Sequence, residues 1–205
     1  MKKVIVFAVT VVCSIMGFSQ TEHEGLNQRF VFGLNVGGNY SFLHSQETLR
    51  DDTNISNSLG FNFGLFGDYA LSSRFLVSPQ LELAFNNSQI ETELSETAVS
   101  TYKVFPTSLN VMTHIEYKLG DGNTTPYLFV GPHVKLPLYS ASESATILTT
   151  KVDFAIEFGI GLETNCTYFI CAPELRYSYG LLDVNESPEL QSLRYHSIVL
   201  ACNFK

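Results

Sequence analysis

From Val152 to Leu162 the chain alternates without a break. Val152, Phe154, Ile156, Phe158, Ile160 and Leu162 hold the even positions, and Asp153, Ala155, Glu157, Gly159, Gly161 and Glu163 the odd ones. Period two over about eleven residues defines a β-strand with one oily and one polar face, roughly twice the length of a typical soluble strand. After Thr164-Asn165-Cys166-Thr167, which reads as a turn, the alternation resumes with Phe169, Cys171, Pro173, Leu175, Tyr177, Tyr179 and Leu181 opposite Glu174, Arg176 and Ser178. Such a hairpin either lines a soluble core with its oily face or crosses a bilayer at a tilt near 45°, which takes about ten residues per strand.

The rest of the chain repeats the pattern. An oily row from Phe30 to Phe42 faces Gly33, Asn35, Gly37, Asn39 and Ser41. Phe61, Phe63, Leu65, Tyr69 and Leu71 face Asn62, Gly64 and Asp68, and Phe75, Val77, Leu81, Leu83 and Phe85 face Ser78, Gln80 and Glu82. A fourth strand is expected over Thr101–Leu119 with His114 and Glu116 on its polar face. A fifth is expected over Pro126–Tyr139 with His133 and Lys135, and an eighth over Leu193–Phe204. Pro79, Pro106, Pro132, Pro137 and Pro173 fall inside these runs, where a missing amide donor weakens a ladder.

Short turns are expected after the second, fourth and sixth strands, at Ser72-Ser73-Arg74, Gly120–Asn123 and Thr164–Thr167. Long polar loops are expected at Leu43–Ser58, Asn87–Ser100, Ala141–Thr150 and Leu182–Ser192. Sorting short connections to one end and long ones to the other is the wiring of an eight-stranded, antiparallel, up-and-down transmembrane barrel of the outer-membrane type. Aromatics gather near strand ends, among them Phe30, Tyr40, Phe42, Tyr69, Phe75, Tyr102, Tyr117, Tyr139, Tyr179 and Phe204, as interfacial girdles require.

Charge fixes which face is inside. Asp68, Glu82, His114, Glu116, Lys135, Asp153, Glu157, Glu174 and Arg176 all lie opposite the oily rows. Buried charges are costly unless paired, so these side chains are expected to form a structural polar network filling a narrow lumen. The competing arrangement, a soluble exported barrel that binds an apolar ligand, needs the oily rows to line the cavity instead.

Export is written at the start. Met1-Lys2-Lys3, the apolar run Val4–Met16 and Gly17-Phe18-Ser19 have the layout of a signal peptide cleaved after Ser19, giving residues 1–19 as signal and 20–205 as barrel domain. Val11-Val12 before Cys13 are not the small residues a lipid-attachment site carries. Losing Lys2 and Lys3 takes the formal charge from −8 to −10, which argues against nucleic acid as a partner. Cys166, Cys171 and Cys202 then remain, an odd number that speaks against a disulfide framework. Cys171 and Cys202 fall on the oily phase and read as small hydrophobes, although neighbouring strands permit a bridge.

No catalytic, cofactor or metal site is expected. His114 and Glu116 share a face but have no third ligand at metal-binding spacing. The Glu82, Glu116, Glu157 and Glu174 carboxylates would offer acid–base chemistry only if a substrate entered a filled lumen, and no small-molecule substrate is expected. The hydrolase and phosphate-loop motifs are absent, and His44-Ser45 in the first long loop is the only neighbouring pair that suggests rim chemistry.

Pro106, Pro126-Tyr127, Asp153, Gly159-Ile160-Gly161 and the Phe-x-x-x-Pro-Glu-Leu run from Phe169 to Leu175 together resemble the PorT (also called SprT) family of Bacteroidetes outer-membrane barrels. The resemblance follows strand order over about residues 28 to 205 and is most specific between about 100 and 181. It implies a small barrel of the Gram-negative outer membrane that is needed by the type IX secretion and gliding machinery without being its pore. Its partners would then be outer-membrane lipid and other proteins of that machinery. A generic surface barrel serving adhesion or envelope integrity is the alternative.

Overall fold

A computed structural model describes residues 30–45, 53–56, 58–86, 89–95, 98–103, 107–138, 146–147, 152–182 and 193–205. The signal-peptide reading of residues 1–19 lies outside the described residues. The strands are β1 (Phe30–Ser45), β2 (Thr53–Ser56), β3 (Ser58–Ala70), β4 (Phe75–Phe85), β5 (Gln89–Ser95), β6 (Ala98–Lys103), β7 (Thr107–Lys118), β8 (Thr124–Pro137), β9 (Thr146–Ile147), β10 (Asp153–Asn165), β11 (Ile170–Gly180) and β12 (Leu193–Phe204).

Eight of them, β1, β3, β4, β7, β8, β10, β11 and β12, form a closed barrel in which each pairs antiparallel with its chain neighbour and β12 closes on β1. Closure leaves no strand edge unpaired in the wall, which is the condition for a sheet to stand in hydrocarbon. Pro79, Pro132, Pro137 and Pro173 all sit within these strands.

Orientation is unambiguous on β10. Phe154, Phe158 and Leu162 are 49, 47 and 42 % exposed on the outside, whereas Asp153 and Glu157 are 0 and 1 % exposed inside. The same holds around the barrel, with Phe61, Leu65, Ile115, Val130 and Leu200 outward and Asn62, Glu82, His114 and Asn203 buried. The soluble ligand-carrying barrel is thereby overturned, because its apolar lining is on the wrong side. Ring pairs mark both rims: Phe30 edge-on to Phe32 at 4.5 Å and Phe75 tilted on Tyr117 at 4.9 Å at one end, Phe61 stacked on Phe85 at 4.7 Å and Tyr40 tilted on Phe42 at 6.3 Å at the other.

The three short connections, at 71–74, 119–123 and 166–169, share one end with Phe30 and Lys205. The first is closed by Ser72, whose hydroxyl accepts from the amides of Arg74 (3.3 Å) and Phe75 (3.1 Å). At the same rim Ile170 and Lys205 exchange two backbone hydrogen bonds of 3.0 Å.

The long-connection end departs from expectation. β2, β5 and β9 lie within the segments read as loops, β6 runs from one of them into the expected fourth strand, and the four pair into a second sheet of order β2-β5-β6-β9, with β6 and β9 parallel. The fourth strand expected over Thr101–Leu119 is two strands, β6 in this sheet and β7 in the wall. Residues 104–106, including Pro106, lie outside the described residues. β1 also runs on to Ser45, past the expected loop start at Leu43. The physical reason is that each of these strands pairs with another long connection rather than with a barrel neighbour, so no oily-versus-lumen phase marks it in the sequence.

Candidate functional site

The inward faces of the barrel strands meet in a lumen packed with polar side chains, and register decides which of them touch. Its centre is Arg176 on β11, which is 1 % exposed. Its Nε donates to Glu174 Oε2 at 2.7 Å, its Nη2 approaches the same oxygen at 2.6 Å and donates to Asn203 Oδ1 at 3.2 Å, and its Nη1 donates to Glu82 Oε2 at 3.2 Å. Glu157 Oε1 lies 4.0 Å from the same Nη1. One guanidinium thus serves carboxylates from β4, β10 and β11, which its planar five-donor fork permits and a lysine would not.

Each carboxylate has further donors. Glu82 is the register partner of Asn110 on β7 and accepts from Asn110 at 3.3 Å and from Asn62 at 2.8 Å. Glu174 Oε1 accepts from Tyr127 at 2.6 Å and from Asn203 at 2.8 Å. The Tyr127 ring reaches it by crossing Gly161, which is the register partner of both Tyr127 and Glu174; a Cβ there would lie 2.2 Å from the ring.

Above this lies a histidine clamp. Glu157 is held by His114 Nε2 at 3.1 Å and by His133 Nδ1 at 3.1 Å. Gln80 Nε2 sits 3.1 Å from His114 Nδ1, on the far side of the imidazole from Glu157. Toward the long-connection end, Lys135 and Asp153 are direct register partners, and the Lys135 ammonium stands 4.3 Å over the Tyr195 ring. Tyr195 donates to Ser41 at 2.6 Å, and Ser41 to Asn86 at 3.2 Å. A cavity of about 20 Å³ between Asn39, Glu82, Lys135 and Glu157 has room for about one water molecule.

The short-turn end is closed by Lys205, the last residue. Its Nζ lies 2.5 Å from Asp68 and 2.7 Å from Glu163, and Glu163 is also 2.5 Å from Lys118. Glu116 on β7 is buried on the same inner face, with Leu76 and Phe129 as register partners.

The structure therefore places Asp68, Glu82, His114, Glu116, Lys135, Asp153, Glu157, Glu174 and Arg176 all on the buried inner face, in four contiguous groups. The network named from sequence does not include Tyr127, Asn203, Glu163, Lys118 and Lys205, although the alternation already sets Glu163 and Lys118 on the polar phase of their strands. Asn203 and Lys205 were findable, since both fall on the polar phase opposite Phe204. Among the described residues no group of three or more His, Cys, Asp or Glu is arranged to hold a metal ion. His44 and Ser45 end β1, with Arg194 and Leu193 as backbone partners, and their side chains lie outside the described residues.

A closed antiparallel barrel with a lipid-compatible exterior and an ionic, filled interior defines an integral membrane barrel of the outer-membrane kind. Residues 18–186 match the family model described as outer membrane protein beta-barrel domain, and the chain belongs to that family and resides in the outer membrane. In fold it is similar to the Neisserial surface protein A, at 12 % identity, covering 86 % of this chain and 98 % of that one with a TM-score of 0.50. It is likewise similar to OprG of Pseudomonas aeruginosa, at 11 % identity, 86 and 94 % coverage and a TM-score of 0.50. No curated protein matches the sequence. In an outer-membrane barrel the short turns face the periplasm and the long connections the exterior.

Proposed function

We propose that this barrel is a non-enzymatic component of the outer membrane that works through its surfaces, as an accessory of the type IX secretion and gliding machinery. The observation that carries the surface reading is the filled lumen. With Arg176, Tyr127, Tyr195, Met112 and His114 all buried inside it and a cavity that holds about one water, the described interior is packed with side chains. What remains for contact is the rim of periplasmic turns and the external sheet β2-β5-β6-β9. The secretion role rests on the resemblance of Pro126-Tyr127, Asp153, Gly159-Ile160-Gly161 and Phe169–Leu175 to the PorT family. Residues 1–19 are proposed as the export signal, and the polar network as the lock that holds the barrel shut.

Deleting the gene and assaying secreted protease activity and gliding tests this role. Loss of both, restored by the intact gene, supports it; unchanged secretion removes it. A second reading, a surface barrel for adhesion or envelope integrity, is favoured by the external sheet, in which the long connections are built into paired strands. Under that reading the deletion leaves secretion intact and alters cell attachment or detergent sensitivity.

A further inference from the structure

Cys171 on β11 and Cys202 on β12 both point outward at the periplasmic rim. Register pairs Cys171 with Phe204 and Pro173 with Cys202, so the two cysteines are diagonal neighbours across one antiparallel pair. Their sulfurs stand 3.1 Å apart, about 1 Å more than a disulfide bond of about 2.05 Å. Both are free thiols in this arrangement and half-buried. The rim position matters. Cys171 directly follows Ile170, whose backbone is bonded to that of Lys205 at the barrel's lower edge, and Cys202 precedes Lys205 by three positions. That edge faces the periplasm, the compartment in which disulfides form and persist.

We infer that Cys171 and Cys202 form a disulfide that welds the carboxy-terminal strand to β11. The oxidant is a periplasmic protein disulfide of the dithiol-oxidase class. One cysteine thiolate attacks it, giving a mixed disulfide and releasing one oxidant thiol. The second cysteine then displaces the other oxidant sulfur. Two protons and two electrons leave the barrel, and the oxidant disulfide ends as two thiols. The bridge closes a loop spanning 31 positions, which contains the long connection at 181–192. Its effect falls on β12, the strand whose other edge makes the closing seam with β1. With β12 tied to β11, opening the seam no longer frees the terminal strand. Cys166, exposed on the turn at 166–169, is the odd thiol left over.

The test uses the full protein isolated from outer membranes, denatured in N-ethylmaleimide before any reductant is added, then digested and weighed. The expected result is a peptide pair joined between Cys171 and Cys202 and lighter by two hydrogens than the sum of its parts, with Cys166 alkylated. Cys166→Ser should keep the link, and Cys171→Ser or Cys202→Ser should abolish it. The temperature at which the folded band disappears on gels should fall on reduction in the wild type and stay put in Cys171→Ser. Alkylation of all three thiols without reductant, or a link made through Cys166, overturns the inference. The wild-type map decides the matter even if a serine variant fails to insert.

Discussion

The phenol of Tyr127 donates a 2.6 Å hydrogen bond to the Glu174 carboxylate across Gly161, the residue that lies between them in the sheet. Two strands thus communicate over a third because that third has no side chain in the way. A Cβ on residue 161 would sit 2.2 Å from the ring, so Gly161→Ala must push Tyr127 off its acceptor. Tyr127→Phe should lower stability by about 1.5–3 kcal/mol, the range for hydrogen bonds to charged groups. Gly161→Ala should lower it by about 1–3 kcal/mol, as overpacking does, yet have much less effect when Tyr127 is already alanine. Urea titration in lipid vesicles checks the cycle; additive effects would show that ring and glycine are independent.

Arg176 is the one guanidinium at the lumen centre, donating to Glu82 and Glu174 with Glu157 beyond. Arg176→Leu leaves those carboxylates facing one another in a confined interior and should destabilise by about 3–5 kcal/mol, the usual loss when one partner of a buried pair is removed. Arg176→Lys should recover only part of this, because an ammonium cannot reproduce the fork. Heat-modifiable gel mobility in detergent provides the readout, and an unchanged unfolding temperature for Arg176→Leu would mean that the carboxylates do not depend on this cation.

What was legible in the sequence was the phase, because lipid on one side and a crowded axis on the other force period two on every wall strand. Phe154, Phe158 and Leu162 fall outside and Glu157 inside for that reason. Phase names a face and not a partner. That Glu157 meets His114 and His133 at one level depends on register set by the whole sheet. Inward apolar residues such as Phe66 and Phe129 were also missed, since they fill space left by glycines; a Cβ on Gly33 would lie 2.3 Å from Phe66 and one on Gly159 2.5 Å from Phe129. The external sheet was missed because β2 and β9 find their partners only in another connection, and the β5–β6 hairpin pairs within its own connection rather than with a wall strand.

Lys205 closes the periplasmic end by reaching both Asp68 and Glu163. Lys205→Met should cost about 3–5 kcal/mol if it behaves as a buried pair losing its cation. Lys118→Met should cost about 1 kcal/mol or less, since Lys118 is 21 % exposed and Glu163 keeps Lys205. Unfolding free energies measured side by side in vesicles test the ranking, and equal losses would contradict the assignment of Lys205 as the closing residue.

The lipid-facing assignment itself is tested at Phe158, which is outward near the middle of β10 and 5.4 Å from the Tyr177 ring. Phe158→Arg places a charge against hydrocarbon and should destabilise by about 2–4 kcal/mol, the midplane penalty for arginine. The same substitution at Tyr168, exposed on the periplasmic turn, should have almost no effect because the side chain stays in water. Both variants are compared by urea unfolding in vesicles. Equal stability of Phe158→Arg and wild type would mean that this face of β10 does not meet lipid, and the membrane position of the barrel would have to be redrawn.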